Sequence, residues 1–209
     1  MIREAVVETI QQLEDAIANG ADRIELCDNL AIGGTTPSFG MTQIASEICK
    51  MNNVELAVMI RPRGGDFIYQ LYDIEIMQRD MKALKEIDVD YFVFGCLNEE
   101  GDLNIWQMKT LKQLAHPIPT VCHMAFDEVH ERRQMKALNH LIELGFTRLL
   151  THGGPKGTNI FDNLNHLGKL VTHSSGKIEI MPGGGLTKDN VHKLVDAFPF
   201  QEVHGTKIV

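Results

Sequence analysis

The sequence alternates short β-like apolar runs with amphipathic helical segments from one end to the other. The runs with strand character begin near Ile2, Arg23, Val54, Tyr91, Pro119, Arg148, Lys177 and Gln201. Consecutive starts lie 21 to 37 residues apart, and each step accommodates one strand and one helix. Eight such units, with no linker or change in composition between them, predict a TIM (β/α)₈ barrel. We expect one domain over residues 1–209 rather than an open sheet.

The predicted barrel is compact, because 209 residues are fewer than the roughly 250 of a typical (β/α)₈ barrel. Only a few residues follow the eighth predicted strand, which contains Gln201 to Thr206. We therefore expect the eighth helix to be missing or residual. An uncovered barrel face would expose apolar side chains, which predicts a homodimer or a higher homo-oligomer.

The net charge of −8 argues against nucleic acid or an anionic membrane surface as the main partner. The amino terminus lacks the apolar core of a signal peptide, and no apolar segment approaches the roughly 20 residues that span a bilayer. We therefore expect a cytoplasmic protein with no membrane partner. None of the four cysteines forms a Cys-x-x-Cys pair, so a structural zinc site is not indicated.

The segment from Val54 to Phe67 changes abruptly from an apolar strand to a charged, glycine-containing loop. Pro62 cannot donate a hydrogen bond within the sheet, so the strand should end near Arg61. Ligands bind at the carboxyl ends of parallel strands. Arg61 and Arg63 are two residues apart and would share a side in extended backbone, so we interpret them, with Asp66, as ligand-binding residues. An ion-paired loop is the alternative.

Acidic side chains also end the first two predicted strands. Glu8 ends the first strand, and Glu25 and Cys27 share one face of the second. A carboxylate in so apolar a strand should point into the polar mouth of the barrel, and Cys27 should follow it. The alternative for Glu25 is a salt bridge to an arginine inside the barrel.

The fifth predicted strand runs from Val121 to Asp127 and places His123, Ala125 and Asp127 on one face. A histidine and an aspartate that converge with Glu25 and Arg61 can perform acid–base chemistry or bind a metal ion. On this basis Glu25, Arg61, His123 and Asp127 are the candidate catalytic residues. Met124 falls on the opposite face in this interpretation and should pack against the helices.

Glycine-rich turns follow the last predicted strands. Thr151 ends the sixth strand, and Gly183 and Gly184 follow the seventh, just before a helix that Thr187 should cap. Backbone N–H groups of such turns often bind phosphate in barrels. His204 ends the eighth strand, and its side chain should point into the same mouth of the barrel.

The remaining histidines lie on predicted helices or beside them, and we interpret them as surface residues. They are His116, His130, His140, His166, His173 and His192.

Five blocks of the sequence resemble the CutC family, described as copper-homeostasis proteins. They span residues 20–27, 33–38, 60–67, 123–127 and 181–185, and the block Arg61-Pro62-Arg63-Gly64-Gly65-Asp66-Phe67 is the most specific. The family fold is a TIM barrel, in agreement with the alternating pattern. Two positions depart from the family. Thr9 stands where a cysteine often follows the first-strand glutamate, and Met124 stands where the family has arginine.

The resemblance implies Cu(I) binding and copper tolerance, with Cys27 as a metal ligand because Cu(I) prefers thiolate and thioether sulfur. The remaining inward-facing residues are mostly Glu, Arg, His and Asp. They fit an enzyme pocket for a small anionic metabolite, including a phosphorylated one. Three hypotheses therefore stay open: a Cu(I)-binding protein, an enzyme of unknown substrate, and a binding module without chemistry.

Overall fold

The computed structural model describes residues 1–155 and 157–209 and has eight parallel strands. They are β1 (Ile2–Val7), β2 (Arg23–Leu26), β3 (Glu55–Met59), β4 (Tyr91–Phe94), β5 (Thr120–Cys122), β6 (Arg148–Thr151), β7 (Glu179–Pro182) and β8 (Glu202–Gly205). The strands pair in the order β7-β6-β5-β4-β3-β2-β1-β8, and a bridge between Gly183 and His204 brings the two ends together. The predicted TIM barrel is confirmed, and every strand begins within two residues of its predicted start.

Helices between the strands cover the outside of the barrel. They are α1 (Ile10–Ala18), α2 (Phe39–Met51), α3 (Leu71–Leu84), α4 (Ile105–Ala115), α5 (Glu131–Leu144), α6 (Leu164–Ser174) and α7 (Val191–Ala197). Short 3₁₀ turns lie at Leu30–Ile32, Met124–Glu128 and Ile160–Asn163. None of the described helices has the length and apolarity that crossing a bilayer requires.

Side-chain hydrogen bonds mark the starts of α3 and α7. Helix α3 begins at Leu71, and Asp73 lies inside its first turn, where its carboxylate accepts a hydrogen bond from the Gln70 N–H at 3.0 Å. Helix α7 begins at Val191, and Asn190 precedes it instead of Thr187. The Asn190 side chain accepts from the Thr187 N–H at 2.8 Å, which holds this segment as a turn before the helix.

No helix follows β8 in residues 206–209, as expected. These residues cover the barrel in another way, because Lys207 pairs with Thr187 and Ile208 is fully buried. The predicted uncovered apolar face is therefore not found here. Apart from Met1 and Ile32, the large exposed apolar side chains of the described residues lie on α2, α3 and α4.

Charged side chains fill the amino-terminal end of the barrel. This floor cluster consists of Arg23, Arg148, Glu4, Glu55 and Glu202, with the ring of Tyr91 beneath both arginines. Arg23 is fully buried and pairs with Glu4, Glu202 and Glu55, the last at 3.1 Å. Such a cluster is stable only while its charges are matched, because a buried charge without a partner is costly.

We expect Arg23→Met to lower the free energy of unfolding by about 3–5 kcal/mol, because it leaves buried carboxylates without their cation. Equilibrium urea unfolding at neutral pH measures the loss. Arg79→Met is the control, since Arg79 pairs with Glu75 on the surface of α3 and should matter by no more than about 0.5 kcal/mol. Equal losses for the two variants would contradict a structural role for the floor cluster.

Candidate functional site

A cavity of about 970 Å³ opens at the carboxyl ends of the strands. This mouth cavity is lined by loops that follow β2 to β7. Its polar lining includes Arg61, Asp66, Asp127, Glu128, His152 and Thr158, and its apolar lining includes Ile32, Phe67, Ile68, Leu97 and Met124. Its position is the one at which barrel enzymes bind their ligands.

Arg61 lies in the wall of the mouth cavity and is only 3% exposed. Its guanidinium donates to three carbonyl oxygens, those of Ile32 (3.1 Å), Gly34 (2.9 Å) and Gly65 (2.7 Å). It also stacks on Phe67, with its Cζ atom 4.7 Å from the ring centroid. These partners are neutral, and Arg61 makes no salt bridge with any residue that the structure describes.

Arg63 does not join Arg61, contrary to the predicted shared side. The backbone turns after Arg61, and Arg63 pairs with Asp66 at 3.0 Å and with Asp73 at 3.2 Å. It donates as well to the carbonyls of Gly64, Asp66 and Ile68. Arg63 therefore stabilises the loop, which was the alternative interpretation, while Asp66 lines the mouth cavity beside it.

His123 and Asp127 do not share a strand face, because β5 ends at Cys122 and a 3₁₀ turn follows. The His123 Nδ1 accepts from the Ala125 N–H at 3.2 Å and so caps that turn. Its ring lies against Phe67, with 4.9 Å between centroids, and does not line the mouth cavity. Burial and the charge of Arg61 lower the pKa of His123 to about 3, so the imidazole is neutral.

Asp127 reaches the mouth cavity from the 3₁₀ turn and is bound to β6. It accepts hydrogen bonds from the Thr151 hydroxyl and, at 2.8 Å, from the His152 N–H. Burial raises the pKa of Asp127 to about 6, although these donors oppose the shift. The His152 ring contacts the Gly183 carbonyl (3.2 Å) and the Thr158 carbonyl (2.9 Å), which ties the loops after β6 and β7 together.

The glycine turn after β7 lies partly in the mouth cavity. Gly184 and Gly185 line it, whereas Gly183 does not. A side chain on Gly184 would come within 2.6 Å of the His152 ring, so only glycine fits there. The predicted arrangement of turn and helix amino terminus is absent, because α7 begins six residues after Gly185.

Glu25, Cys27 and His204 lie together inside the barrel, below the mouth cavity, and do not line it. The Glu25 carboxylate is 3.8 Å from the His204 Nε2 and 3.8 Å from the Cys27 Sγ. Glu4 completes this interior site, because its carboxylate is 2.8 Å from the His204 Nδ1. Glu8 does not take part, since it accepts from the Leu30 N–H at 2.8 Å and holds the loop after β2.

The interior site has perturbed ionisation. Burial raises the pKa of Glu25 to about 7, and burial would raise that of Glu4 as well. The charges of Arg23 and His204 instead hold the pKa of Glu4 at about 2. Burial would lower the pKa of His204, but the two carboxylates raise it above its usual value. Burial and the Glu25 charge raise the pKa of the Cys27 thiol well above its usual value.

Comparison with known proteins identifies the family. The model of the CutC family matches residues 1–209. This chain belongs to the CutC family.

Relatives of this CutC chain are similar over nearly its whole length. A CutC family protein of Enterococcus faecalis is 43% identical over 209 residues, which is all of both chains. A human protein named copper homeostasis protein cutC homolog is 37% identical over 203 residues, covering 97% of this chain and 72% of its own. A crystal structure of CutC from Streptococcus agalactiae covers all of both chains with a TM-score of 0.97 and 37% identity.

The two departures from the CutC pattern have different structural effects. Thr9 caps α1, where its hydroxyl accepts from the Gln12 N–H at 3.2 Å. Met124 was expected to face the helices, which is wrong. It lines the mouth cavity and packs against the barrel interior, because the 3₁₀ turn rotates it away from the outer face.

The sequence-based interpretation missed Glu4 and His152. Residues two apart in a strand point to the same face, so Glu4, Val6 and Glu8 share one face of the first strand. Because Glu8 was expected to point into the barrel, the same pattern indicated that Glu4 does so too. His152 follows directly after Thr151 at the end of β6, a position typical of functional residues in barrels. Among the histidines expected at the surface, His166 is largely buried and contacts the Gln134 side chain at 2.7 Å.

We expect the stability of the wild type, relative to Asp127→Asn, to fall as pH rises from about 4 to about 6. The folded protein binds the Asp127 proton more tightly than the unfolded chain, whose aspartates titrate near 3.9, so deprotonation favours unfolding. A shift of about two pKa units corresponds to a change of up to about 3 kcal/mol. Urea unfolding of both proteins at several pH values measures it.

Asp66→Asn is the control for this titration. The pairing of Asp66 with Arg63 lowers its pKa, so the wild type should not lose stability relative to this variant over the same pH range. A difference between wild type and Asp127→Asn that is constant with pH would contradict the raised pKa of Asp127.

Proposed function

We propose that this CutC protein is an enzyme that binds a small anionic organic molecule in the mouth cavity, phosphorylated molecules included. Arg61 holds the anion, and Asp127 transfers a proton. The observation that carries the proposal is the buried, unpaired charge of Arg61 in the cavity wall.

The charge of Arg61 requires a counterion. Buried charges in folded proteins are paired, because removing an ion from water without compensation is costly. The carbonyl oxygens around Arg61 satisfy its N–H groups without neutralising its charge, and its Nε–H has no acceptor among the described residues. An anionic ligand in the mouth cavity supplies the missing negative charge, and guanidinium geometry suits carboxylates and phosphates.

Asp127 has the properties of an acid–base group. Proton transfer is most efficient when the pKa of the catalyst lies near the working pH, and the pKa of Asp127 is about 6. Thr151 and the His152 backbone fix both carboxylate oxygens in place. The His123 ring packs against Phe67 and helps to hold that side chain in the cavity wall. Gly184 and Gly185 have no side chains and so leave room for the ligand beside His152.

Anion binding is tested by calorimetry with inorganic phosphate and with a panel of sugar phosphates and dicarboxylates. We expect the wild type to bind at least one probe and Arg61→Gln to bind it at least about tenfold more weakly, since a charged hydrogen bond contributes about 1.5–3 kcal/mol. Arg61→Lys should retain part of the affinity because it keeps the charge.

Arg79→Gln is the matched control for net charge, because Arg79 is exposed on α3 and does not line the mouth cavity. It should bind the probe as the wild type does. Binding of every probe by Arg61→Gln with unchanged affinity would reject Arg61 as the anion ligand.

A second candidate function is Cu(I) binding inside the barrel, which would serve copper tolerance. Its specific support is a sulfur-rich interior, where Cys27, Met59 and Met181 belong to one buried cluster and Met124 packs against it. Thiolates and thioethers are the ligands that Cu(I) prefers. The thiol of Cys27 is protonated at neutral pH, so Cu(I) would have to displace its proton.

Cu(I) binding is tested by titrating the reduced protein against a competing chelator in the absence of oxygen. We expect Cys27→Ser to lose at least about tenfold in affinity, because Cys27 is the thiol in the sulfur-rich cluster. Cys49→Ser is the matched control, since Cys49 is equally buried but lies on α2 in the outer core. Identical affinities of the two variants would remove Cys27 from this function.

We also propose that the protein is cytoplasmic and that copies of the chain associate into a homo-oligomer. The support is the exposure of Leu71 (76%), Tyr72 (75%) and Trp106 (69%) at the starts of α3 and α4, two helices that pack against each other. Exposed apolar patches of this kind commonly mark interfaces.

A further inference from the structure

We propose that the space filled by the Phe67 ring is a recess of the mouth cavity that binds one carboxylate group of the ligand. The donors of this carboxylate recess are the Arg61 Nε–H and the His123 Nε2–H, and the Phe67 ring turns into the cavity when the carboxylate enters. The inference rests on the proposed anion-binding function and goes further, because it names the charged group of the ligand and a second residue that binds it.

One nitrogen of Arg61 has no hydrogen-bond partner. The two terminal nitrogens donate to the carbonyls of Ile32, Gly34 and Gly65. The Nε atom is buried and has no acceptor among the described residues. The Phe67 ring covers the guanidinium, with the Arg61 Cζ atom 4.7 Å from the ring centroid. An anion in the mouth cavity therefore reaches the Nε–H only after this ring has moved.

His123 presents a second donor without an acceptor. Its Nδ1 accepts from the Ala125 N–H at 3.2 Å, so the imidazole is neutral and its single N–H proton lies on Nε2. The Nε2 atom is buried and has no partner in the part of the chain that the structure describes. Buried N–H groups without acceptors cost stability and are rare in folded proteins, so this donor indicates a ligand atom.

Phe67 connects the two donors. Its ring contacts the His123 ring, with 4.9 Å between centroids, and the same ring lies over Arg61. The space that the ring occupies thus adjoins both side chains. Phe67 is half-buried and lines the mouth cavity, whose volume of about 970 Å³ has room for the displaced ring.

The backbone at Phe67 stays in place when the recess opens. The Leu97 N–H donates to the Phe67 carbonyl at 2.8 Å, and Ile68 pairs with Leu97 as an isolated bridge. Arg63 holds the preceding part of the loop through Asp66. Rotation of the Phe67 side chain is therefore the movement that uncovers the two donors.

The charge of the recess selects a carboxylate. Arg61 contributes one positive charge, and the neutral His123 contributes none. A carboxylate carries one negative charge and matches it. A phosphate monoester carries about −1.5 to −2 at neutral pH and would leave negative charge buried without a partner. Two N–H donors also suit the two oxygens of a carboxylate, whereas a phosphate would leave an oxygen without a donor.

The test is calorimetric titration of the full-length protein with a panel of short mono- and dicarboxylates and with inorganic phosphate. Two variants separate the roles of the two His123 nitrogens. Asparagine offers an acceptor in place of Nδ1 but no donor near Nε2, whereas glutamine offers an amide donor near Nε2 but no acceptor for the Ala125 N–H. We expect His123→Asn to lose at least about tenfold in carboxylate affinity and His123→Gln to lose less.

The order of these two variants distinguishes ligand binding from a structural role. If His123 acts only by capping the 3₁₀ turn, His123→Gln should be the more damaging change, because it removes the cap. His192→Asn is the control, since His192 is exposed on α7, and it should behave as the wild type. Circular dichroism establishes that each variant is folded.

Nitrogen-15 NMR of the histidine rings supplies a second readout. The His123 signals are identified by their loss in His123→Asn. They should show the Nε2–H tautomer, and the Nε2–H proton should move downfield when a carboxylate binds. Phe67→Ala should bind the carboxylate at least as tightly as the wild type, because no ring has to be displaced.

Three results would overturn the proposal. They are a wild type that binds no carboxylate of the panel, equal carboxylate affinity in the wild type and His123→Asn, and a tenfold loss of affinity in Phe67→Ala. The proposed function fails separately, when Arg61→Gln binds every probe as the wild type does. Phosphate binding that depends on Arg61 but not on His123 would keep the proposed function and reject the recess.

Discussion

The pairing of Arg23 with Glu4 and Glu202 is the interaction on which the barrel interior depends. These side chains come from β2, β1 and β8, so the ion pairs join three neighbouring strands of the sheet. Their burial is possible only because each charge has a partner. Glu4 links the floor cluster to the interior site, because its second carboxylate oxygen contacts the His204 imidazole. The floor cluster thus fixes the position of the interior site above it.

Charge compensation decreases from the floor of the barrel to its mouth. Every charged group of the floor cluster has an ionic partner, although the Arg148 Nη1 atom has no hydrogen-bond partner among the described residues. In the interior site, one Glu25 oxygen likewise has no hydrogen-bond partner. At the mouth, Arg61 has hydrogen-bond acceptors but no counterion among the described residues. Unmatched polar groups in a well-packed protein indicate where ligands bind. The proposed anion site follows from the unpaired charge of Arg61 at the mouth.

The positions of Arg61 and Asp127 at the mouth were predictable, because both residues follow the end of a strand and strand ends meet on one face of a barrel. The predicted grouping failed for Arg63 and His123. Both predictions assumed that extended backbone continues past the strand, whereas a turn intervenes after Arg61 and a 3₁₀ turn after Cys122. Residue alternation holds only while the backbone stays extended, so the direction of side chains beyond a strand end could not be read from spacing.

The sequence by itself determined the eight-unit barrel and the family, because hydrophobic periodicity and short sequence motifs are local properties of the chain. Only the tertiary structure decided that Glu25, Cys27 and His204 separate from the mouth and join Glu4. Their contacts connect residues up to 200 positions apart, and depend on how the strands are staggered when the barrel closes. Burial and the distances between charges follow from that closure, so the chemistry of both sites is a property of the folded chain.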